Sequence, residues 1–485
     1  MPCAGQAAWH PLPAPWEVQR MKTTLIYPGI AGYGFNSLGK GMEAGWVSHG
    51  LAHLSSAAKA QGFAIDLIDL RALSGWEAFR EELLRRRPEV AALTMMSVDY
   101  NPATQAARIV KEVLPQTVTV VGGPHPTIMV EEIVELPQFD YIVTREGEVT
   151  FPWLLGELQA GRRPEQRVLE GEMPDLDRLP FPDRELFLEE WRRYGYTLNS
   201  PEVPFVPDLP PPFLTIIAGR GCRYNCNFCQ PAERLIFGRR VRRRSPANIL
   251  AELKLLRDRY QFASFMFHDD CLTEDRDWVL EFCDLYQAEG FTQPFFCQSR
   301  ADIIVRYEEM VRRMAEVGLK GYFIGFESGS DRVLRFLRKG TTRQKNLQAA
   351  RICKKYGIKI WANYMLGLPT ETREEVLETI SMLKEIDPDW YSPAFYTPHP
   401  GSDLYDYCLE NDLSLITSHD QYRRNPWEIK VRGQDPEFLQ WALRESQRRK
   451  PLNAARRQVQ YLWRRYARPD KVVRRARRML GVERS

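Results

Sequence analysis

Residues 213–229 read Phe213-Leu214-Thr215-Ile216-Ile217-Ala218-Gly219-Arg220-Gly221-Cys222-Arg223-Tyr224-Asn225-Cys226-Asn227-Phe228-Cys229. An apolar, β-branched run of strand character leads directly into three cysteines spaced C-x3-C-x2-C. Three soft thiolates held by one short loop make an iron–sulfur or zinc site. A closed structural site normally has four protein ligands. Three leave one coordination position for something outside the loop. Arg220 and Arg223 are expected to favour thiolate over thiol. The competing readings are a chance gathering of cysteines and a zinc clip with a distant fourth ligand. Cys271, Cys283, Cys297, Cys353 and Cys408 stand singly and read as small buried apolar residues.

Downstream, strand and helix signals alternate. Strand candidates are 213–218, 264–268, 294–298, 321–326, 358–365 and 390–396, with helices near 247–260, 278–288, 305–316 and 374–386. Six such units predict a partial (β/α)6 TIM-type barrel with its site at the C-terminal strand ends. Those ends carry His268-Asp269-Asp270, Gln298-Ser299-Arg300, Gly325-Phe326-Glu327-Ser328-Gly329-Ser330, Gly367-Leu368-Pro369-Thr370-Glu371 and Pro398-His399-Pro400-Gly401. Each alone reads as a cap or a turn; recurrence after almost every strand favours a site.

Upstream, strand candidates 23–27, 64–70, 90–97, 118–121 and 141–144 alternate with helices near 45–61, 76–86, 103–113 and 127–135. Short buried strands with helices between them predict a doubly wound, Rossmann-like parallel sheet. Its ligand belongs beyond the C-terminal strand ends. There lie Pro28-Gly29-Ile30, Ser97-Val98-Asp99, Gly122-Gly123-Pro124-His125-Pro126-Thr127 and Arg145-Glu146-Gly147-Glu148. No G-x-G-x-x-G dinucleotide fingerprint is present. His125 reads as a turn residue or as a ligand.

The chain is therefore divided into an extension (1–20), a first α/β domain (21–165), a Pro-rich linker (166–212), the barrel (213–410) and a basic helical C-terminal region (411–485). Net charge is a modest +4, but arginine crowds the tail from Arg448 onward. That tail reads as a solvated helical cap, or as a nucleic-acid or anionic-membrane contact. The run 237–244 holds five arginines, either a solvated face or a grip on an acidic ligand. No apolar run approaches the roughly 20 residues needed to span a bilayer. Nine cysteines without a disulfide framework suit a reducing cytoplasm.

The cysteine run resembles the signature of the radical S-adenosylmethionine superfamily. The resemblance implies that Cys222, Cys226 and Cys229 bind a 4Fe–4S cluster whose fourth iron is chelated by S-adenosylmethionine, making the protein oxygen-sensitive. It also places Phe228, the aromatic residue before the last cysteine, at the cofactor, Glu327 at the ribose with Ser328 beside it, and Asp269 and Asp270 near the amino group. Arg300 would pair the carboxylate, and Gly367 would lie near the adenine.

Residues 21–158 are similar to the cobalamin-binding domain that precedes many such cores. The similarity rests on Val120-Val121-Gly122-Gly123-Pro124-His125-Pro126-Thr127, on Glu146-Gly147-Glu148 and on the helical stretch 46–60. It implies cobalamin held at the strand ends by Ser97, Gly122, Gly123, His125, Thr127, Glu146 and Gly147. The D-x-H-x-x-G motif is absent from the sequence, so no protein histidine is expected on cobalt.

These resemblances imply a cobalamin-dependent radical methyltransferase that acts on an unactivated carbon or phosphorus centre of a small-molecule or lipid substrate and is fed electrons by a flavodoxin or ferredoxin. The alternatives are a non-methylating radical oxidoreductase, cyclase or ring-rearranging enzyme, an RNA-modifying enzyme using the basic tail, and a structural zinc protein. Methylthiotransferases carry cysteines in their first domain, whereas the only cysteine N-terminal to the barrel here is Cys3. No catalytic residue beyond the cofactor grips is legible.

Overall fold

The structure, a computed structural model, describes residues 21–39, 46–196, 209–423 and 427–449. The N-terminal extension and the arginine-rich tail beyond residue 449 lie outside the described residues.

The first sheet comprises β1 (Lys22–Tyr27), β2 (Ala64–Asp69), β3 (Val90–Thr94), β4 (Val118–Gly122), β5 (Tyr141–Thr144) and β6 (Val168–Glu170). Their order is β2-β1-β3-β4-β5-β6, and every pairing is parallel. Alternate residues serve opposite faces. Leu25, Leu67 and Val120 pack beneath helices His49–Ala60, Thr150–Gln159 and Glu185–Arg193. Ile26, Ile68 and Val121 pack beneath Trp76–Arg86 and Tyr100–Val113. Burial on both faces explains why these strands read as continuous apolar runs.

The segment 166–212, expected as a linker, includes β6 and helix Glu185–Arg193 among its described residues. That helix is docked by Trp191, whose indole N–H donates to Asp69 Oδ2 at 2.8 Å, and by Glu190, which meets Arg86 Nη2 at 2.7 Å. Proline spacing hid these elements: a three-residue strand is too short to show alternation.

The second sheet contains β7 (Phe213–Ile216), then, after a two-stranded ribbon of β8 (Gly219–Arg220) and β9 (Arg242–Arg243), β10 (Ser264–Phe267), β11 (Phe295–Ser299), β12 (Leu319–Glu327), β13 (Lys359–Leu366) and β14 (Trp390–Phe395). The order β14-β13-β12-β11-β10-β7 is parallel throughout. Six strands left open at two edges make the expected half-barrel. Leu214, Phe265, Cys297, Ile324 and Tyr364 face the outer helices. Phe213, Met266 and Phe296, with Phe323, Trp361 and Trp390, fill the lumen floor. An apolar floor excludes water from below and leaves the C-terminal strand ends as the open face. Among the outer helices, Arg373–Ile386 starts on a capping box formed by Thr372 and Glu375.

The described part of the C-terminal region adds helix Pro436–Ser446, whose Leu439, Ala442 and Leu443 join the barrel core. Tyr364 Oη and Ser446 Oγ, 2.6 Å apart, fix it there. No helix among the described residues is long and apolar enough to cross a membrane.

Candidate active site

The cysteine loop leaves β7 through the β8–β9 ribbon. Cys226 is buried, Cys222 is half-buried and Cys229 is exposed as a residue, while the Cys229 thiol has Cys226, Glu233, Lys339 and Glu327 as its charged neighbours. The five solitary cysteines are all buried, as expected.

The arginines do not serve the thiols as the sequence suggested. Arg220 is engaged by Glu146 and by Glu148 at 2.6 Å, and Arg223 faces Glu274 at 3.5 Å. With these charges neutralised, burial pushes the Cys222 thiol up to about 11. A cation beside the sulfurs is Arg300, at the end of β11, with Nη1 3.5 Å from Cys226 Sγ. Its Nε meets Asp302 at 3.0 Å, its guanidinium lies 3.6 Å above the Tyr224 ring, and its Nη2 donates to the Lys339 carbonyl. Three cysteines with a fixed guanidinium beside the buried one form a donor set suited to an anionic iron–sulfur cluster.

Glu327 ends β12 where the ladder slips between Gly325 and Glu327, and it adopts a left-handed φ of 60°. This kink at the strand end places its Oε1 2.8 Å from Lys339 Nζ. Burial pulls the Lys339 ammonium down, but Glu327 and Cys226 outweigh it and hold it above its ordinary value. Lys339 also sits 5.6 Å from the Phe228 ring centre. Lys339, which no motif announces, ties the cysteine loop to β12. Ser328 turns away: its hydroxyl lies 3.2 Å from Thr379 Oγ1 and accepts from Ser330 N–H.

Glu233, four residues past Cys229, was also missed. Burial and neighbouring Asp270 push it up to about 8, so it keeps its proton and donates to Asp270. Asp269 Oδ2 accepts from Ala218 N–H at 3.0 Å, and burial pushes that carboxyl up to about 6.

The Gly367 turn is held by Glu371, whose Oε2 accepts from the N–H groups of Gly367 at 2.9 Å and Leu368 at 3.2 Å. Burial nonetheless pushes Glu371 up to about 8 from 4.5. The unfolded chain releases this proton near its ordinary value, so between the two values the folded state binds more protons and stability falls as pH rises. Glu371→Gln keeps an acceptor for both N–H groups and cannot ionise. Its melting temperature is expected to lose this decline between about pH 5 and 8 and to exceed the parent's at the upper end. Thermal melts across that range check it.

A cavity of about 470 Å³ lies between the two domains. Gly122, Gly123, Glu146 and Gly147 line it from the first sheet, while Gly219, Arg220, Asp269 and Asp270 line it from the barrel. Gly123 has a φ of 108°, and a Cβ there would meet Thr94 Oγ1 at 2.9 Å, so only glycine lets the chain turn this tightly at the cavity wall. A glycine-walled cavity at the C-terminal strand ends suits a large planar ligand such as a corrin. Ser97, His125 and Thr127 stand behind this wall. Ser97 Oγ lies 3.0 Å from His125 Nδ1, and Thr127 Oγ1 donates to the Gly123 carbonyl at 2.9 Å. Two histidines that sequence reasoning passed over, His49 and His53, line the cavity from helix His49–Ala60; His49 Nε2 lies 2.7 Å from Thr215 Oγ1 on β7. Burial first, then nearby arginines, hold both imidazoles well below their ordinary values.

The arginine run is largely spent internally. Arg242 pairs with Glu146, Arg243 with Glu274 at 3.2 Å and Arg244 with Glu252 at 2.5 Å. A second cavity, about 570 Å³, has aromatic walls from Tyr27, Trp361, Tyr391, Tyr422 and Trp427. Tyr27 borders both cavities.

A parallel sheet over a half-barrel, with three cysteines after the first barrel strand, defines a radical S-adenosylmethionine enzyme with a B12-binding domain. Residues 216–383 match the Radical SAM superfamily and residues 43–155 the B12 binding domain. Its cofactors are accordingly a 4Fe–4S cluster, S-adenosylmethionine and cobalamin.

The chain is 29% identical over 351 residues to an uncharacterized methyltransferase of Pyrococcus horikoshii, covering 69% of this chain and 72% of that one. It is 28% identical over 407 residues to an anaerobic magnesium-protoporphyrin IX monomethyl ester cyclase of Rubrivivax gelatinosus, covering 79% and 69%. Its fold matches the radical S-adenosylmethionine methyltransferase TsrM from Kitasatospora setae, solved with cobalamin and a [4Fe-4S] cluster, at a TM-score of 0.63 and 16% identity over 82% of this chain and 76% of that one.

Proposed function

We propose that the enzyme methylates an unactivated carbon or phosphorus centre of a small molecule held in the 570 Å³ chamber, whose aromatic rings stand among the charged residues Arg71, Asp99, Arg423, Glu428 and Lys430. The observation that carries this reading is the shared Tyr27 wall, which sets that chamber directly beside the cavity suited to cobalamin. When bound, the cluster with S-adenosylmethionine supplies a carbon-centred radical, and cobalamin supplies a methyl group.

The chain's own residues position and enclose. Cys222, Cys226 and Cys229 hold the cluster, and Arg300 offsets its charge. Glu327, fixed by Lys339, presents a carboxylate toward a ribose, while Asp270, accepting from Glu233, faces an amino group. The Gly367 turn, braced by Glu371, accommodates the adenine. Gly122, Gly123 and Gly147 bring backbone against the corrin. The apolar lumen floor keeps water from a radical. A flavodoxin or ferredoxin would deliver the electrons, and an open cluster position would make the enzyme oxygen-sensitive.

Anaerobic turnover with S-adenosylmethionine, cobalamin and a reductant tests the proposal. Methyl transfer is expected to yield S-adenosylhomocysteine and 5′-deoxyadenosine together, with a product heavier by one methyl group. The second reading is a non-methylating radical oxidoreductase or cyclase, motivated by the similarity to the Rubrivivax cyclase. It predicts 5′-deoxyadenosine alone, and that outcome overturns the first reading.

A further inference from the structure

Behind the glycine wall lies a cluster that the proposed reaction does not use. His125 is fully buried. Its Nδ1 lies 3.0 Å from Ser97 Oγ, and its Nε2 has no hydrogen-bond partner. That Nε2 lies 3.4 Å from Glu132 Oε2. The other oxygen of the same carboxylate, Oε1, lies 3.1 Å from Nε2 of His419. One donor atom from each of the three residues falls within 4.8 Å of the others. The two imidazoles stand edge to face at 5.6 Å, and the His419 ring stacks on Tyr100 at 3.7 Å.

A buried ring nitrogen without a partner is costly and calls for an explanation. In the tautomer whose Nδ1–H donates to Ser97, the Nε2 lone pair faces a carboxylate oxygen, and a cation between them makes that arrangement favourable. Ligands about 2.0–2.1 Å from a tetrahedral ion stand about 3.3 Å apart, close to the 3.4 Å from His125 Nε2 to Oε2 and the 3.1 Å from His419 Nε2 to Oε1, so the carboxylate offers one oxygen to each side. Two imidazoles and one carboxylate, with a fourth position for water, are a donor set that zinc accepts. Ser97 plays the supporting part usual for a ligating histidine, fixing its tautomer and orientation.

We propose that His125, Glu132 and His419 bind a divalent cation of the zinc class, which fastens the C-terminal region to the first domain. His125 follows β4 and Glu132 lies in helix Val130–Val134, whereas His419 opens the distant turn His419–Gln421. A hydrogen bond from Asn101 Nδ2 to Asp420 Oδ1, 2.5 Å, already brings that turn to the same place. The turn leads into Gln421 and Tyr422, which wall the aromatic chamber. The metal therefore holds one wall of the chamber shut without touching the cofactors.

The test uses the anaerobically reconstituted protein, whose cysteine loop is occupied by iron. The protein is equilibrated with zinc at micromolar free concentration, and both metals are counted per chain. One zinc is expected beside a full complement of iron. His419→Ala, at a partly exposed position, is expected to weaken zinc binding by at least about a hundredfold with iron unchanged, and Ser97→Ala by about tenfold. Zinc is also expected to slow proteolysis between residues 411 and 435 in the parent but not in His419→Ala. Equal zinc in the parent and in His419→Ala, or none in either, overturns the proposal. Because zinc and iron are counted without turnover, failure here is distinct from failure of the methyl-transfer reading.

Discussion

Cys226→Ala is expected to leave a folded chain that holds well under the about four irons per chain of an intact cluster and yields no 5′-deoxyadenosine above background. Cys226 is the buried member of the trio and the one beside Arg300, so its loss removes the sulfur around which the loop is set. Two remaining thiolates, one of them exposed, cannot hold a cluster that already lacks a fourth protein ligand. Cys353→Ala supplies the control, because that thiol is buried among the outer helices and is expected to leave iron and cleavage intact. Iron and sulfide analysis, low-temperature electron paramagnetic resonance and product chromatography read the outcome. Cleavage at the parental rate by Cys226→Ala would sink the cluster assignment.

The second large effect is expected from Lys339→Met. Lys339 and Glu327 are about nine-tenths buried and meet at 2.8 Å. Removing one member of such a pair leaves an uncompensated buried charge and costs about 3–5 kcal/mol. Glu327→Gln in the same chain removes that charge, so the double variant is expected to regain most of the lost stability. It is not expected to regain tight binding of S-adenosylmethionine if Glu327 grips the ribose. Denaturant titration together with the KM for S-adenosylmethionine separates the two roles. A double variant with parental KM would make Glu327 a structural residue only.

The half-barrel was legible because its strands bury one residue set against helices and the other against the lumen, which produces the apolar runs at 264–268 and 321–326 that the eye catches. The cysteine site was legible for a different reason: its ligands are local, and their spacing is itself the signal. What escaped were partners set by the fold. Lys339 and Glu233 belong to helical or turn stretches with no motif of their own, and only the tertiary structure brings them to Glu327 and Asp270. Arg220 and Arg223 misled because sequence shows a charge but not the acid that neutralises it. Ser97, His125 and Thr127 were placed by their strand-end position, yet a turn has two sides. The structure turns the glycines toward the cavity and these three polar side chains behind it.

The contact of His49 with Thr215 bears on how such an enzyme is inherited and rebuilt. A first-domain imidazole shares a hydrogen bond with a threonine of edge strand β7, and Arg184, from the connecting segment, donates to the carbonyl of the same threonine at 2.7 Å. The two domains are thus not interchangeable cassettes. A chimera that grafts another first domain onto this barrel loses the His49 contact to the residue 215 hydroxyl unless the graft brings an equivalent of His49. Recombination that keeps residues 46–196 with 209–423 as one block preserves the joint, and a crossover between them does not.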